Sequence, residues 1–80
     1  MTVCECVVFR VKELLRENNM TQYRLEKNSG IQHGAMNRIM RCENKGMEIS
    51  TVSMIAKGFN LTLVEFLNSP VFDFDNMEIE

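Results

Sequence analysis

Few side chains in this sequence can do covalent or metal chemistry. There is one histidine, His33, and there are three cysteines, Cys4, Cys6 and Cys42. Cys4-Glu5-Cys6 supplies at most half of a tetrahedral metal site, and no second cysteine pair follows to complete it. An odd cysteine count without the spacing of a small secreted scaffold predicts reduced thiols. No paired carboxylates and no phosphate-cradling glycine loop accompany the histidine, so neither a catalytic set nor a cofactor site is expected. What remains is hydrogen bonding. Gln32, His33, Asn37, Arg38 and Arg41 stand close together, with Lys45 after them and Gln22 before. Glutamine and asparagine amides bond adenine edges in pairs, and arginine does the same with guanine. In isolation, the same stripe also describes a solvated helix face.

Those residues are useful only if helices position them. Val7, Val8, Val11, Leu14 and Leu15 recur at helical spacing, which predicts a first helix over about Cys6–Asn18, ended by Asn18-Asn19. Thr21 stands at an N-cap position before a second helix, about Gln22–Asn28, with Leu25 inward. Ser29-Gly30 breaks it, glycine supplying a positive φ. A third helix over Gln32–Arg41 then carries Met36, Ile39 and Met40 on one face and the polar residues on the other. Cys42–Glu48 reads as a loop. Ser50 is expected to cap a fourth helix, Thr51–Phe59, with Val52, Ile55, Ala56 and Phe59 inward and Asn60 as a left-handed C-cap. Thr62, with Glu65 in capping-box position, opens a fifth over Leu63–Leu67, which Ser69-Pro70 stops. Residues 1–69 make one domain. Residues 70–80 form an acidic, apolar tail, either frayed or extended over an apolar patch or across a dimer, for which the fifth helix with Val71, Phe72 and Phe74 is the candidate surface.

Eighty residues, 45% hydrophobic and 25% charged, suffice for one core but not for a core plus a deep catalytic cleft. Net charge is −2, which by itself disfavours a polyanionic partner, but the charge is unevenly spread. Arg16 to Lys45 holds six basic and three acidic residues, net +3, whereas Gly46 to Glu80 holds one and six, net −5. The polar stripe therefore lies in the basic part. The longest uncharged apolar run, Cys6–Phe9, is far too short for a bilayer, and no signal-peptide pattern opens the chain, so a cytoplasmic protein is expected.

Two short helices joined by a glycine turn are common in small helical proteins, but these residues also carry a resemblance. Met20-Thr21-Gln22-Tyr23-x-Leu25, Ser29-Gly30-Ile31, Asn37-Arg38-Ile39, Thr51-Val52, Ile55-Ala56-Lys57 and Leu61-Thr62-Leu63-x-Glu65-Phe66-Leu67 together resemble the Cro/C-repressor (Xre) helix-turn-helix family over Val11–Leu67. The resemblance implies a compact five-helix, lambda-repressor-like DNA-binding domain. Under it, Gln22 is a phosphate contact, and Gln32, His33 and Gly34 lead the recognition helix. Asn37 and Arg38 follow one turn on, and Arg41 and Lys45 touch the DNA backbone. Gly34 allows close approach to the bases. Two departures stand out. Glu26 replaces a small residue on the side of the second helix that packs on the third, so its carboxylate must reach solvent, find a partner such as Lys27 or the neighbourhood of Arg24, or push the helices apart. Leu15 and Met40 stand where the family commonly pairs arginine with glutamate, an apolar replacement made at both ends.

The expected function is a sequence-specific regulator, a repressor acting as a homodimer on double-stranded DNA, with no membrane or small-molecule partner. The competing reading is a protein-interaction module, an antitoxin or anti-repressor that keeps the fold and binds DNA weakly, supported by Glu26 and the acidic C-terminal part. An enzyme is the least supported.

Overall fold

The computed structural model describes residues 1–78; Ile79 and Glu80, the end of the expected tail, lie outside them. Five helices follow in order, α1 (Val3–Glu17), α2 (Gln22–Ser29), α3 (His33–Met40), α4 (Ile49–Gly58) and α5 (Leu63–Leu67), then 3-10 turns at Pro70–Phe72 and Phe74–Asn76. Among the described residues no strand forms, and the one sheet-like pairing is an isolated parallel bridge between Thr2 and Glu78. The architecture is the all-α five-helix one expected of the sequence.

Most helix ends follow from local chemistry. Asn19, Gly30 and Asn60 adopt left-handed φ values of 51°, 80° and 60°, as their positions after helices require. Thr21 caps α2, its Oγ1 accepting the Arg24 N–H at 3.1 Å. Thr62 and Glu65 form the anticipated capping box on α5.

The starts of α1 and α4 differ from expectation by more than one residue. α1 begins at Val3 rather than Cys6, because Thr2 and Glu5 make a capping box of their own: the Thr2 N–H donates to Glu5 at 2.8 Å and the Glu5 N–H to Thr2 Oγ1 at 3.2 Å. The Thr2 backbone donor holds the Glu5 carboxyl below its ordinary range. Ser50 lies inside α4, whose N-cap is Glu48 with no side-chain bond.

The core joins all five helices. Val7, Val11, Leu14, Leu25, Ile31, Met36, Val52, Ile55, Ala56, Phe59 and Phe66 form one buried cluster, with Leu15, Ile39, Met40 and Phe72 packed against it. Leu15 and Met40 thus do place apolar surface on the core where an ion pair was expected to be replaced. Cys4 and Cys6 are buried as well. Cys42 donates its thiol to Cys4 Sγ at 2.8 Å, and burial first, then this neighbour, pushes the Cys4 thiol up to about 12.

Packing of α2 on α4 depends on Gly58. A Cβ there would lie 2.6 Å from Leu25 Cδ1 and 3.3 Å from the Leu25 carbonyl oxygen. Arg10 joins α1 to the end of α5, donating to the Phe66 carbonyl at 2.8 Å and to the Glu65 carbonyl at 3.2 Å. The Phe66 carbonyl is of the kind that a helix end leaves without a backbone partner, and the Glu65 carbonyl also accepts the Asn68 N–H at 3.3 Å.

The segment after Pro70 folds back on α1. Val71 is buried, and the Phe72 ring sits 6.0 Å from that of Phe66. The Met1 amino group donates to the Asn76 carbonyl at 3.0 Å, and the Glu78 N–H donates to the Met1 carbonyl at 2.7 Å. Among the described residues no helix is long and apolar enough to cross a membrane.

Candidate nucleic-acid interface

The turn between α2 and α3 is fixed from both sides. Gly30 donates its N–H to the Glu26 carbonyl at 3.0 Å in the left-handed conformation, which sends the chain away from α2. Ile31 follows, buried, its N–H donating to Ser29 Oγ at 3.2 Å. Met36, wholly buried, anchors α3. These contacts leave the opposite face of α3 in solvent. Gln32, His33, Gly34, Arg38 and Arg41 are exposed and Asn37 is half-buried.

The helix is one residue shorter at each end than the spacing suggests: Gln32 is its N-cap, without a side-chain cap bond, and Arg41 its C-cap. A Cβ on Gly34 would meet only the tip of Arg38, at 3.7 Å. Among the described residues no neighbour requires glycine there. Arg41 donates through Nε and Nη2 to Glu43 at 3.0 and 2.7 Å, an exposed pair worth little in water. Lys45 lies in the following loop, whose carbonyl at that residue accepts the Cys4 N–H at 2.9 Å.

Two of the seven polar candidates, Gln22 and His33, meet at Glu26, and a third, Asn37, bridges them. The Glu26 side chain is 9% exposed and that of His33 73%. Gln22 Nε2 donates to Glu26 Oε2 at 2.9 Å and to Asn37 Oδ1 at 2.9 Å. His33 Nδ1 lies 3.0 and 2.9 Å from the two Glu26 oxygens, and Asn37 Nδ2 lies 3.2 Å from His33 Nε2. The four side chains close a ring across the α2–α3 corner. The Gln22 amide first, then His33, holds the Glu26 carboxyl below the ordinary glutamate range. Of the outcomes open to Glu26, it finds partners, and these are Gln22 and His33 rather than Lys27 or the neighbourhood of Arg24. Lys27 instead rests over the Tyr23 ring, 5.3 Å from its centroid.

Glu26 is thus the member of the site that sequence reasoning left outside it. Its signal was present as two helical i,i+4 polar pairs, Gln22/Glu26 and His33/Asn37, one on each side of the glycine turn. The crossing that sets the pairs against each other is a tertiary fact.

Arg38 presents a guanidinium beside the bare backbone at Gly34, and Gln32 stands free at the helix start. The N-terminus of α2, with the N–H groups of its first turn, lies at the same corner. Such a surface suits a polyanion whose edges carry hydrogen-bond acceptors. Among the described residues no three His, Cys, Asp or Glu side chains gather to hold a metal. A family model for the Cro/C1-type helix-turn-helix DNA-binding domain matches residues 10–70. Neither a curated protein nor a solved structure matches the chain.

Proposed function

The chain belongs to the Cro/C1-type helix-turn-helix family of DNA-binding domains, and on that premise we propose that it reads a specific operator as a homodimer and represses transcription there. The observation that carries the reading is the exposed face of α3: Gln32, Gly34 and Arg38 at the mouth of a fixed glycine turn, with Arg41 and Lys45 just beyond. Placed in the major groove, Gln32 and Arg38 address base edges, and Asn37 does so if released from the ring. Arg41 exchanges Glu43 for phosphate, and Lys45 approaches the same strand. Gln22 donates both amide hydrogens inside the protein, so at the start of α2 the backbone N–H groups are the natural phosphate partners. Repression is the simplest consequence of such binding, because occupying an operator excludes other proteins without any further surface. The cytoplasm is the proposed site of action.

The test is selection from random duplexes at low and physiological salt, with an Arg38→Ala/Arg41→Ala variant in parallel. We expect a half-site motif that the variant loses. Affinity should fall steeply with salt, about 0.9 log unit per log unit of salt for each phosphate contact. A variant that enriches the same motif as well as the wild type would sink the reading and leave the helix-turn-helix as a scaffold for protein contacts.

A further inference from the structure

The Gln22–Glu26–His33–Asn37 ring has a direction. Glu26 is a carboxylate and accepts only, so each link to it must receive a proton from the other side. Gln22 Nε2 supplies one and His33 Nδ1 the other. The second hydrogen of Gln22 Nε2 goes to Asn37 Oδ1, which fixes the Asn37 amide with Nδ2 toward His33 Nε2. Asn37 donates there, so His33 Nε2 accepts. One arrangement satisfies all four links: neutral His33 with its proton on Nδ1 and a lone pair on Nε2. In that state both ring nitrogens of the most exposed member face other protein atoms, and the histidine offers DNA no N–H.

A proton added to Nε2 cannot be absorbed quietly. His33 Nε2 and Asn37 Nδ2 then both donate toward each other. Either the Asn37 amide turns, which sets its Nδ2 against the donating Gln22 Nε2, or the exposed imidazolium swings away; in both cases one donor loses its partner in the ring and is freed toward solvent, where a base edge or a phosphate would lie. Of the charged groups on the two helices, Glu26 touches the imidazole, Arg24 and Lys27 lie on α2, and Arg38 lies on α3. A phosphate-lined groove adds negative potential and favours the charged ring.

We propose that Glu26 is a positioning and specificity-determining residue that fixes the Nδ1–H form of His33, and that DNA binding takes up a proton at His33 to release a donor from the ring. This rests on the reading that α3 faces DNA. It concerns what that face displays at a given pH, and it makes the half-buried carboxylate, rather than a base-contacting side chain, the residue that sets the display.

Two measurements test it, one of them without DNA. Long-range 1H–15N correlation of the His33 imidazole in the free protein should show the Nδ1–H tautomer above neutral pH and lose it in Glu26→Ala; an Nε2–H tautomer in the wild type overturns the ring's direction. Affinity for the selected operator, followed from pH 8 to 5.5 at fixed salt, should rise toward acid by up to about tenfold per pH unit, the limit for one proton taken up. His33→Gln should bind with a flat profile. Glu26→Gln, nearly the same shape without the charge, should keep binding but change both the slope and the bases preferred beside His33. A Glu26 that merely supported the corner would lower affinity equally at every pH and leave the motif alone, which would overturn the proposal. So would a wild-type slope equal to that of His33→Gln. If no motif is selected at any pH, the operator reading has failed, and the proton uptake on DNA falls with it, while the tautomer still decides the ring.

Discussion

Gly34 and Gly58 both sit in helices, where glycine costs roughly 0.5–1 kcal/mol relative to alanine. Their surroundings are opposite. A Cβ on Gly34 meets only the flexible end of Arg38, whereas one on Gly58 would strike Leu25 at 2.6 Å. Gly34→Ala is therefore expected to leave the fold as stable or up to about 1 kcal/mol more stable, and to weaken operator binding if the backbone approaches bases there. Gly58→Ala should cost about 1–3 kcal/mol despite its better propensity, because overpacking forces α2 from α4. Urea denaturation and operator titration of the two variants check both statements. Glu26 gives a second prediction at this scale. Its carboxyl is held low by Gln22 and His33. The stability it contributes is thus fully present above the ordinary glutamate range, about 4.3, and is lost as pH falls through its lower folded value. Between pH 5 and 3, melting temperature should drop less in Glu26→Gln than in the wild type. An equal drop would mean that the ring adds nothing to the fold. The polar residues of the face were legible in the sequence because they are exposed and periodic. The organiser was not, because a half-buried carboxylate shows only its oddness until its partners are known.

At the scale of elements, period and capping chemistry told most of the fold, and their failures are instructive. Thr21, Thr62, Gly30 and Asn60 act as their types suggest because each stands alone beside its helix. At α4 two residues competed, and Ser50 looks like the cap while Glu48 holds the position without a side-chain bond. Ser50→Ala should accordingly be neutral or slightly stabilising, alanine being the better helix former. Thr62→Ala should cost about 1 kcal/mol, since its Oγ1 accepts the Glu65 N–H at 3.1 Å. Thermal melts of the pair separate the two caps, and a larger loss for Ser50→Ala would contradict the helix start seen here. The early start of α1 was hidden for another reason. Cys4 and Cys6 drew attention as possible ligands, and thiols behave as small hydrophobes when buried. Read as core, they extend the apolar stripe of Val7 and Val11 back to the Thr2–Glu5 box. The Arg10 bonds to the end of α5 lie beyond any local pattern, since they link residues 56 and 55 positions apart.

At the scale of the whole molecule, the proposed dimer is a matter of geometry. Its longest dimension is 32 Å, and α3 has 8 residues, about 12 Å of helix at 1.5 Å per residue. One such helix covers part of one major groove. A second copy would bring another recognition helix to the next turn on the same side, about 34 Å away, and two half-sites multiply a modest affinity into a specific one. The sequence offered Val71, Phe72 and Phe74 with α5 as the surface for that pairing. The fold divides them: Val71 is buried and Phe72 packs against the core, while Phe74 is 77% exposed and Val64 on α5 78%. The two phenylalanines therefore test different things. Phe72→Asp places a carboxylate against the Phe66 ring at a partly buried position and should cost roughly 1–3 kcal/mol, lowering the melting temperature whether or not the protein dimerises. Phe74→Asp should leave the melting temperature of the monomer unchanged. If Phe74 and Val64 meet a second copy, sedimentation of Phe74→Asp will show monomers at concentrations where the wild type shows dimers, and operator affinity will drop with it. An unchanged sedimentation profile with unchanged DNA affinity would move the pairing surface elsewhere, to exposed Phe9 on α1 or to contacts that form only on the operator.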